Sequence, residues 1–125
     1  MKFRGNIAIV TGASTGVGEA IAQELYDRGL TVVITARDSA AIEATARNMD
    51  PSGQRALPMV ADVKNHVSVK NLIGSVVEQF GKIDYLVNNA GITGPHGISI
   101  CDYDVEDWQE VIQTDLSGVF YGMKY

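Results

Sequence analysis

The residues with the clearest chemistry are Thr11-Gly12-Ala13-Ser14-Thr15-Gly16-Val17-Gly18, a glycine-rich segment between an apolar run and an amphipathic one. Glycines at this spacing suit an anionic diphosphate. Gly12 permits a tight turn, Gly16 lets backbone approach a phosphate without a Cβ in the way, and Gly18 lets a following helix pack close to the strand. The mouth of that helix presents unpaired N–H groups and the positive end of its dipole, and the Ser14 and Thr15 hydroxyls add donors beside Val17. An ordinary glycine-rich turn would contain the same glycines, so they decide nothing alone. A second cluster, Ala36-Arg37-Asp38, closes the next apolar run. An acid at such a strand end binds a ribose diol, whereas a guanidinium accepts a phosphate on that ribose. Ala36 occupies the acidic place and Arg37 follows it, which favours the phosphorylated form. Asp38 is the competing acid, better placed as a helix cap.

To meet a phosphate, the glycines must lie at a strand-to-helix junction, and the flanking residues predict one. Residues 6–11 are rich in β-branched side chains and apolar without alternation, as in a strand covered on both faces. Residues 17–28 then place Val17, Ala20, Ile21, Ala22 and Leu25 at helical spacing, with Gly29 as the stop. Residues 31–36 predict a second strand, and Asp38 or Ser39 caps a helix running to about residue 48. After an Asp50-Pro51-Ser52-Gly53 turn, residues 55–61 predict a third strand, which Pro58 assigns to a sheet edge. A helix over residues 67–80 carries Val69, Leu72, Ile73, Val76, Val77 and Phe80 inward, and residues 83–88 form a fourth strand. Residues 89–103 read as a loop. Asp104, with Asp107 three residues on, caps a last helix whose Val105, Trp108, Val111, Ile112, Leu116 and Phe120 are expected to face inward. The alternation predicts an α/β fold, a doubly wound parallel sheet of order 3-2-1-4 with about four strands and four helices, in one domain over residues 1–125.

Composition narrows the partners. A net charge of -5 without a long Lys/Arg run argues against nucleic acid or an anionic membrane. The first apolar run is too brief for a signal-peptide core or a membrane span, so a soluble cytoplasmic protein is expected. Cys101 is the single cysteine; it has no intrachain partner and no activating base nearby, and no metal site is expected. His96, in a Gly/Pro loop, reads as exposed, and Tyr103 as packing at a helix entrance.

The order Thr-Gly-x-x-x-Gly-x-Gly, then Asp62-Val63, then Asn88-Asn89-Ala90-Gly91, then Asp107-Trp108 through Gly118-Val119-Phe120, resembles the short-chain dehydrogenase/reductase family across essentially the whole chain. The resemblance implies a Rossmann-type dinucleotide site and hydride transfer between a nicotinamide and a ketone or secondary alcohol. It implies that Asp62 accepts from the adenine amino group, that the Val63 N–H approaches the ring, and that Asn89, Ala90 and Gly91 line the adenosine side. With Arg37 in place, NADP(H) is favoured over NAD(H). Asp115 stands where the family usually has asparagine, whose carbonyl holds a water of a proton relay; an ionised side chain there adds charge beside that relay.

The same resemblance implies a serine, a tyrosine and a lysine four residues after the tyrosine. Tyr121 is followed by Lys124 at three and Tyr125 at four, so this is not that pair. The missing groups are expected beyond residue 125, in a longer protein, and the chain alone is expected to be inactive. A homo-oligomer is the expected assembly. A non-catalytic dinucleotide-binding or interaction module is the competing reading. A methyltransferase of similar fold suits the glycine spacing less well.

Overall fold

The computed structural model describes residues 2–125. Four parallel strands, β1 (Ile7–Thr11), β2 (Thr31–Thr35), β3 (Ala56–Pro58) and β4 (Tyr85–Val87), form one sheet in the order β3-β2-β1-β4. Every residue of β1 is buried, which is what its unbroken apolar run requires of a central strand. Its register sets Ile9 beside Val33 on one side and Leu86 on the other. Pro58, which has no N–H to donate, ends the edge strand β3 opposite Ile34.

Successive strand residues point to opposite faces, and two cores result. Ala8, Val10, Val32 and Ile34 meet Ala22 and Leu25 of α1 (Gly16–Asp27) and Ile42, Ala46 and Met49 of α2 (Ser39–Met49). Ile7, Ile9 and Val33 meet Val69, Leu72, Ile73 and Val76 of α3 (His66–Phe80) on the other face. The sheet is therefore covered on both sides, as expected of a doubly wound fold.

Helix ends follow their chemistry in three places. Asp38 caps α2 by accepting from the Ala41 N–H at 3.1 Å. Asn65 caps α3 by accepting from the Val67 and Ser68 N–H groups. Gly81, at φ 77°, closes α3 in the left-handed conformation that glycine adopts without a Cβ penalty. Asp104 occupies the N-cap of α4 (Val105–Ile112), but its side chain makes no cap bond, contrary to the expected capping box.

The last helical stretch differs most from expectation. α4 passes into a π-helical turn over Gln113–Ser117 and continues as α5 (Gly118–Lys124). Val105, Trp108, Leu116 and Phe120, expected inside, are exposed, and Val111 and Ile112 are only half-buried. The inward positions are instead the small residues Thr114 and Gly118, with Tyr121 packed on the core beneath α3. A Cβ on Gly118 would lie 3.1 Å from Val63, so the close approach of backbone decides which face turns in. Similar corrections apply to Val17, 70% exposed, to Ala20, and to Val77, all outside the buried stripes of their helices. Each lies at the margin of an apolar arc whose centre already fills the space above the sheet.

Two aspartates tie the chain where no helix or strand can. Asp50, buried after α2, accepts from the Ser52 hydroxyl and from the Ser52, Gln54, Arg55 and Ala56 N–H groups, fixing the entry to β3. Asp84 accepts from the Ile7 and Asn6 N–H groups at 3.0 and 2.8 Å and pairs with Lys82, which joins the starts of β1 and β4. The Ser52 hydroxyl and then the Arg55 amide hold Asp50 far below the usual carboxylate value; the Ile7 amide, then Lys82, hold Asp84 at about 2. Both carboxyls release their protons more readily folded than unfolded, so the unfolded chain binds more protons between the two values. Their stabilisation is complete above the unfolded value of 3.8 and is lost as pH falls below it. Thermal melts between about pH 5 and about pH 2 are expected to show a steep loss of stability that Asp50→Asn makes shallower.

Candidate functional site

Because the strands are parallel, their C-terminal ends open on one edge of the sheet, and the segments that follow them meet there. Thr11 organises that edge. Its hydroxyl donates to the Val87 carbonyl at 3.3 Å and accepts from the Asn89 and Ala90 N–H groups, each at 3.0 Å. In return the Asn89 amide nitrogen donates to the carbonyls of Thr11 at 3.0 Å and Gly12 at 3.1 Å. The turn after β1 and the strand end of β4 are thus fastened together by side chains from both.

The glycines fit into this junction in distinct ways. Gly12 has φ 62°, and a Cβ there would lie 2.8 Å from the Ala90 Cα. Gly18 packs so closely that a Cβ would meet the Asn89 amide and the Gly12 carbonyl. Gly16, at φ 61°, has no atom within 4 Å of a Cβ position and lies open to solvent at the mouth of α1. Thr15 stands at the N-cap of α1 without a side-chain cap bond, so the first amides of the helix keep their donors for something else. The turn is also held from α2, where the Thr45 hydroxyl donates to the Ser14 carbonyl at 3.0 Å.

A cleft of about 550 Å³ opens at this edge. Gly12, Ser14 and Thr15 form its wall at β1, Arg37 its wall after β2, Asp62 and Val63 its wall after β3, and Ala90 and Gly91 its wall after β4. With Ala36 and Asp38, which flank Arg37 in the same wall, ten of the residues singled out from sequence come together. Gly16 and Val17 lie outside the lining, at the exposed start of α1; Gly18 and Asn89 lie behind it and shape the wall. Thr35, Lys64, Ile92 and Thr114 also line the cleft and were not foreseen. Thr35 carries a buried hydroxyl without a hydrogen-bond partner. Lys64, Ile92 and Thr114 each adjoin a singled-out residue, and chain proximity was the available signal.

Asp115 lies within the π-helical turn, beside the cleft. Its Oδ1 accepts from the Ile92 N–H at 2.8 Å, anchoring the loop after β4, and it shares a shallow depression with Gly91, Thr93, Gly94 and Glu110. π-turns of this kind concentrate at functional sites because they re-aim backbone groups locally. The remaining sequence candidates stay apart from the cleft. His96 is exposed and bonded to the Thr93 hydroxyl, Tyr103 packs against Gly94 at the entrance of α4, and Tyr125 meets His66 at 3.1 Å. Among the described residues no group of three or more His, Cys, Asp and Glu could hold a metal, and no helix is long and apolar enough to cross a membrane.

Comparison with known proteins agrees with this geometry. A family model described as short chain dehydrogenase matches residues 6–125. The chain is 39% identical over 121 residues to the 3-oxoacyl-acyl-carrier-protein reductase of Salmonella typhimurium, covering 96% of this chain and 47% of that protein. Among solved structures, an actinorhodin polyketide ketoreductase with NADPH superposes with a TM-score of 0.88 at 36% identity, covering 95% of this chain and 45% of that one. A short-chain dehydrogenase/reductase from Burkholderia phymatum in complex with NAD gives 0.91 at 30% identity, covering 99% and 43%. The chain spans about half the length of the curated relatives it matches.

The packing at the glycines makes a contrast that urea unfolding can read. Gly18→Ala is expected to destabilise the fold by about 1–3 kcal/mol through overpacking. Gly74→Ala, on the open face of α3 with nothing within 4 Å, is expected to stabilise it by up to about 1 kcal/mol.

Proposed function

The chain belongs to the short-chain dehydrogenase family, and on that premise we propose that it holds the nicotinamide dinucleotide of an oxidoreductase, with NADP(H) preferred to NAD(H). The single observation that carries this reading is the cleft at the strand ends, lined by Gly12 and Ser14 of the glycine turn and by Thr15, the N-cap of α1. Its donor set suits a diphosphate: backbone amides, the Ser14 and Thr15 hydroxyls, and no carboxylate on the glycine turn.

In this reading residues 1–125 form one dinucleotide-binding domain. The glycine turn, with Gly16, Val17 and Gly18 opening α1, receives the diphosphate. Asp62 and Val63 take the adenine, Asn89, Ala90 and Gly91 bound the adenosine side, and Arg37 takes a phosphate on the adenosine ribose. Support for the phosphate comes from charge: Ala36 leaves the strand end without a carboxylate, and Asp38, which also lines the cleft, gives its Oδ1 to the cap of α2. The dinucleotide, when bound, supplies hydride chemistry for a ketone or secondary alcohol. Asp115 contributes by holding the Ile92 amide, which sets the loop after β4 beside the reacting end. The tyrosine and lysine of the family's proton transfer are not represented among these residues as a Tyr-x-x-x-Lys pair.

A cytoplasmic location and a homo-oligomer belong to the same reading. The oligomer is supported by the exposed apolar stripe Val105, Trp108, Leu116, Phe120 and Met123, a surface a monomer rarely leaves to water. Fluorescence titration of the protein with NADPH and NADH tests the cofactor assignment. NADPH is expected to bind about tenfold or more tightly, the value of a charge-assisted pair, and Arg37→Ala is expected to reduce that difference markedly. Equal affinities in the unmodified protein would overturn the preference, and binding of neither would overturn the dinucleotide reading.

A further inference from the structure

A second cation lies on the cleft wall, and its partner is the key to it. Lys64 follows Asp62 and Val63 after β3, where its N–H is held by the Asp62 carboxylate at 3.0 Å. Its Nζ pairs with Glu110 Oε1 at 2.8 Å, and the two side chains are 27% and 46% exposed. Glu110 belongs to α4, so the pair joins the end of β3 to the helix that closes this side of the cleft. One turn on, the Gln113 amide donates to the Lys64 carbonyl at 2.9 Å and fixes the same junction through backbone. The junction is thus held by a hydrogen bond to backbone as well as by the ion pair.

Glu110 also senses Arg37. Its carboxyl is held below the usual range by the Lys64 hydrogen bond and charge first, with a smaller pull from Arg37. The other carboxylates nearby are engaged elsewhere, Asp38 with the Ala41 amide and Asp62 with the Lys64 amide. Arg37 and Lys64 line the same cleft from the ends of two different strands, and Glu110 is paired with the second of them.

Resting on the dinucleotide reading above, we propose that Lys64 and Glu110 form a charge switch that sets affinity for a 2′-phosphorylated adenosine: Glu110 holds Lys64 when no phosphate is present, and the phosphate takes Lys64 from it. A phosphate ester brings close to two negative charges and three acceptor oxygens, against one charge on the carboxylate, so it competes well for the ammonium. A half-exposed ion pair is weak enough to exchange partners, and the lysine stem is flexible enough to swing. Glu110, left beside a bound phosphate, opposes it through like charge. Arg37 alone would give a preference fixed by one pair; the switch makes that preference depend on a residue of α4, 46 positions from the lysine.

Calorimetric titration of the full chain with adenosine 2′,5′-bisphosphate and with adenosine 5′-phosphate reads the ribose end alone. The measured quantity is the ratio of the two affinities. Glu110→Gln is expected to raise the bisphosphate preference about threefold to tenfold, and Lys64→Met to lower it about tenfold, with both effects shrinking as salt is added. Should Lys64→Met fail to fold, Glu110→Gln at its exposed position still decides the matter. A ratio unchanged in Glu110→Gln, or lowered by it, overturns the switch and leaves the dinucleotide reading standing. Binding of neither probe to the unmodified chain overturns both.

Discussion

The hydroxyl of Thr11 is the point on which the site is built. One oxygen engages the Val87 carbonyl and the amides of Asn89 and Ala90, and the Asn89 side chain returns the bonds to the carbonyls of Thr11 and Gly12. Strand ends are where ladder pairing stops and backbone groups would otherwise turn to water. Here they are paired by side chains, so the polypeptide can leave β1 in a tight glycine turn and leave β4 as a loop while both stay in register. Gly12 and Gly18 are small because this junction leaves no room for a Cβ. The open cleft and the crowded junction behind it are two sides of one arrangement.

The wall on the β1 side is built from backbone, the opposite wall from side chains. The turn after β1 is locked by backbone contacts and by Thr45 from α2, whereas the wall after β2 and β3 carries long charged side chains. A diphosphate is common to all such dinucleotides and calls for a fixed cradle; the ribose end varies among them and can be read by side chains that move. Relatives in this family include one with NADPH and one in complex with NAD, on closely superposable backbones. In the proposed reading, discrimination at that end rests on side chains such as Arg37, Lys64 and Glu110 more than on the fold.

The π-helical turn links the two regions. By widening the helix at Gln113–Ser117 it lets Thr114 reach the cleft, Asp115 reach the Ile92 amide and Gly118 approach Val63 from one short segment. A regular helix would place these positions at fixed angular steps of about 100° and could not satisfy all three contacts so directly. The apolar residues of α4 and α5 are left outward as a consequence, since the inward side is occupied by the small groups that the close approach demands.

Much of this was legible in the residues themselves. Strand and helix identities, the edge place of Pro58 and the cap at Asp38 follow from local preferences that the amino acids carry wherever they are put, and the order β3-β2-β1-β4 from the doubly wound pattern that their alternation implies. Ten residues of the cleft wall were named from spacing and resemblance, because the wall is made from short runs of consecutive residues that follow the strand ends. What only the tertiary structure decided are matters of partnership across the chain: the outward face of Trp108 and Phe120, the π-turn, the unpaired Thr35 hydroxyl and the Lys64–Glu110 pair. Periodicity tells a helix that it has an apolar side, but the surface that accepts or refuses that side is assembled from distant residues, and those meet only once the chain has folded.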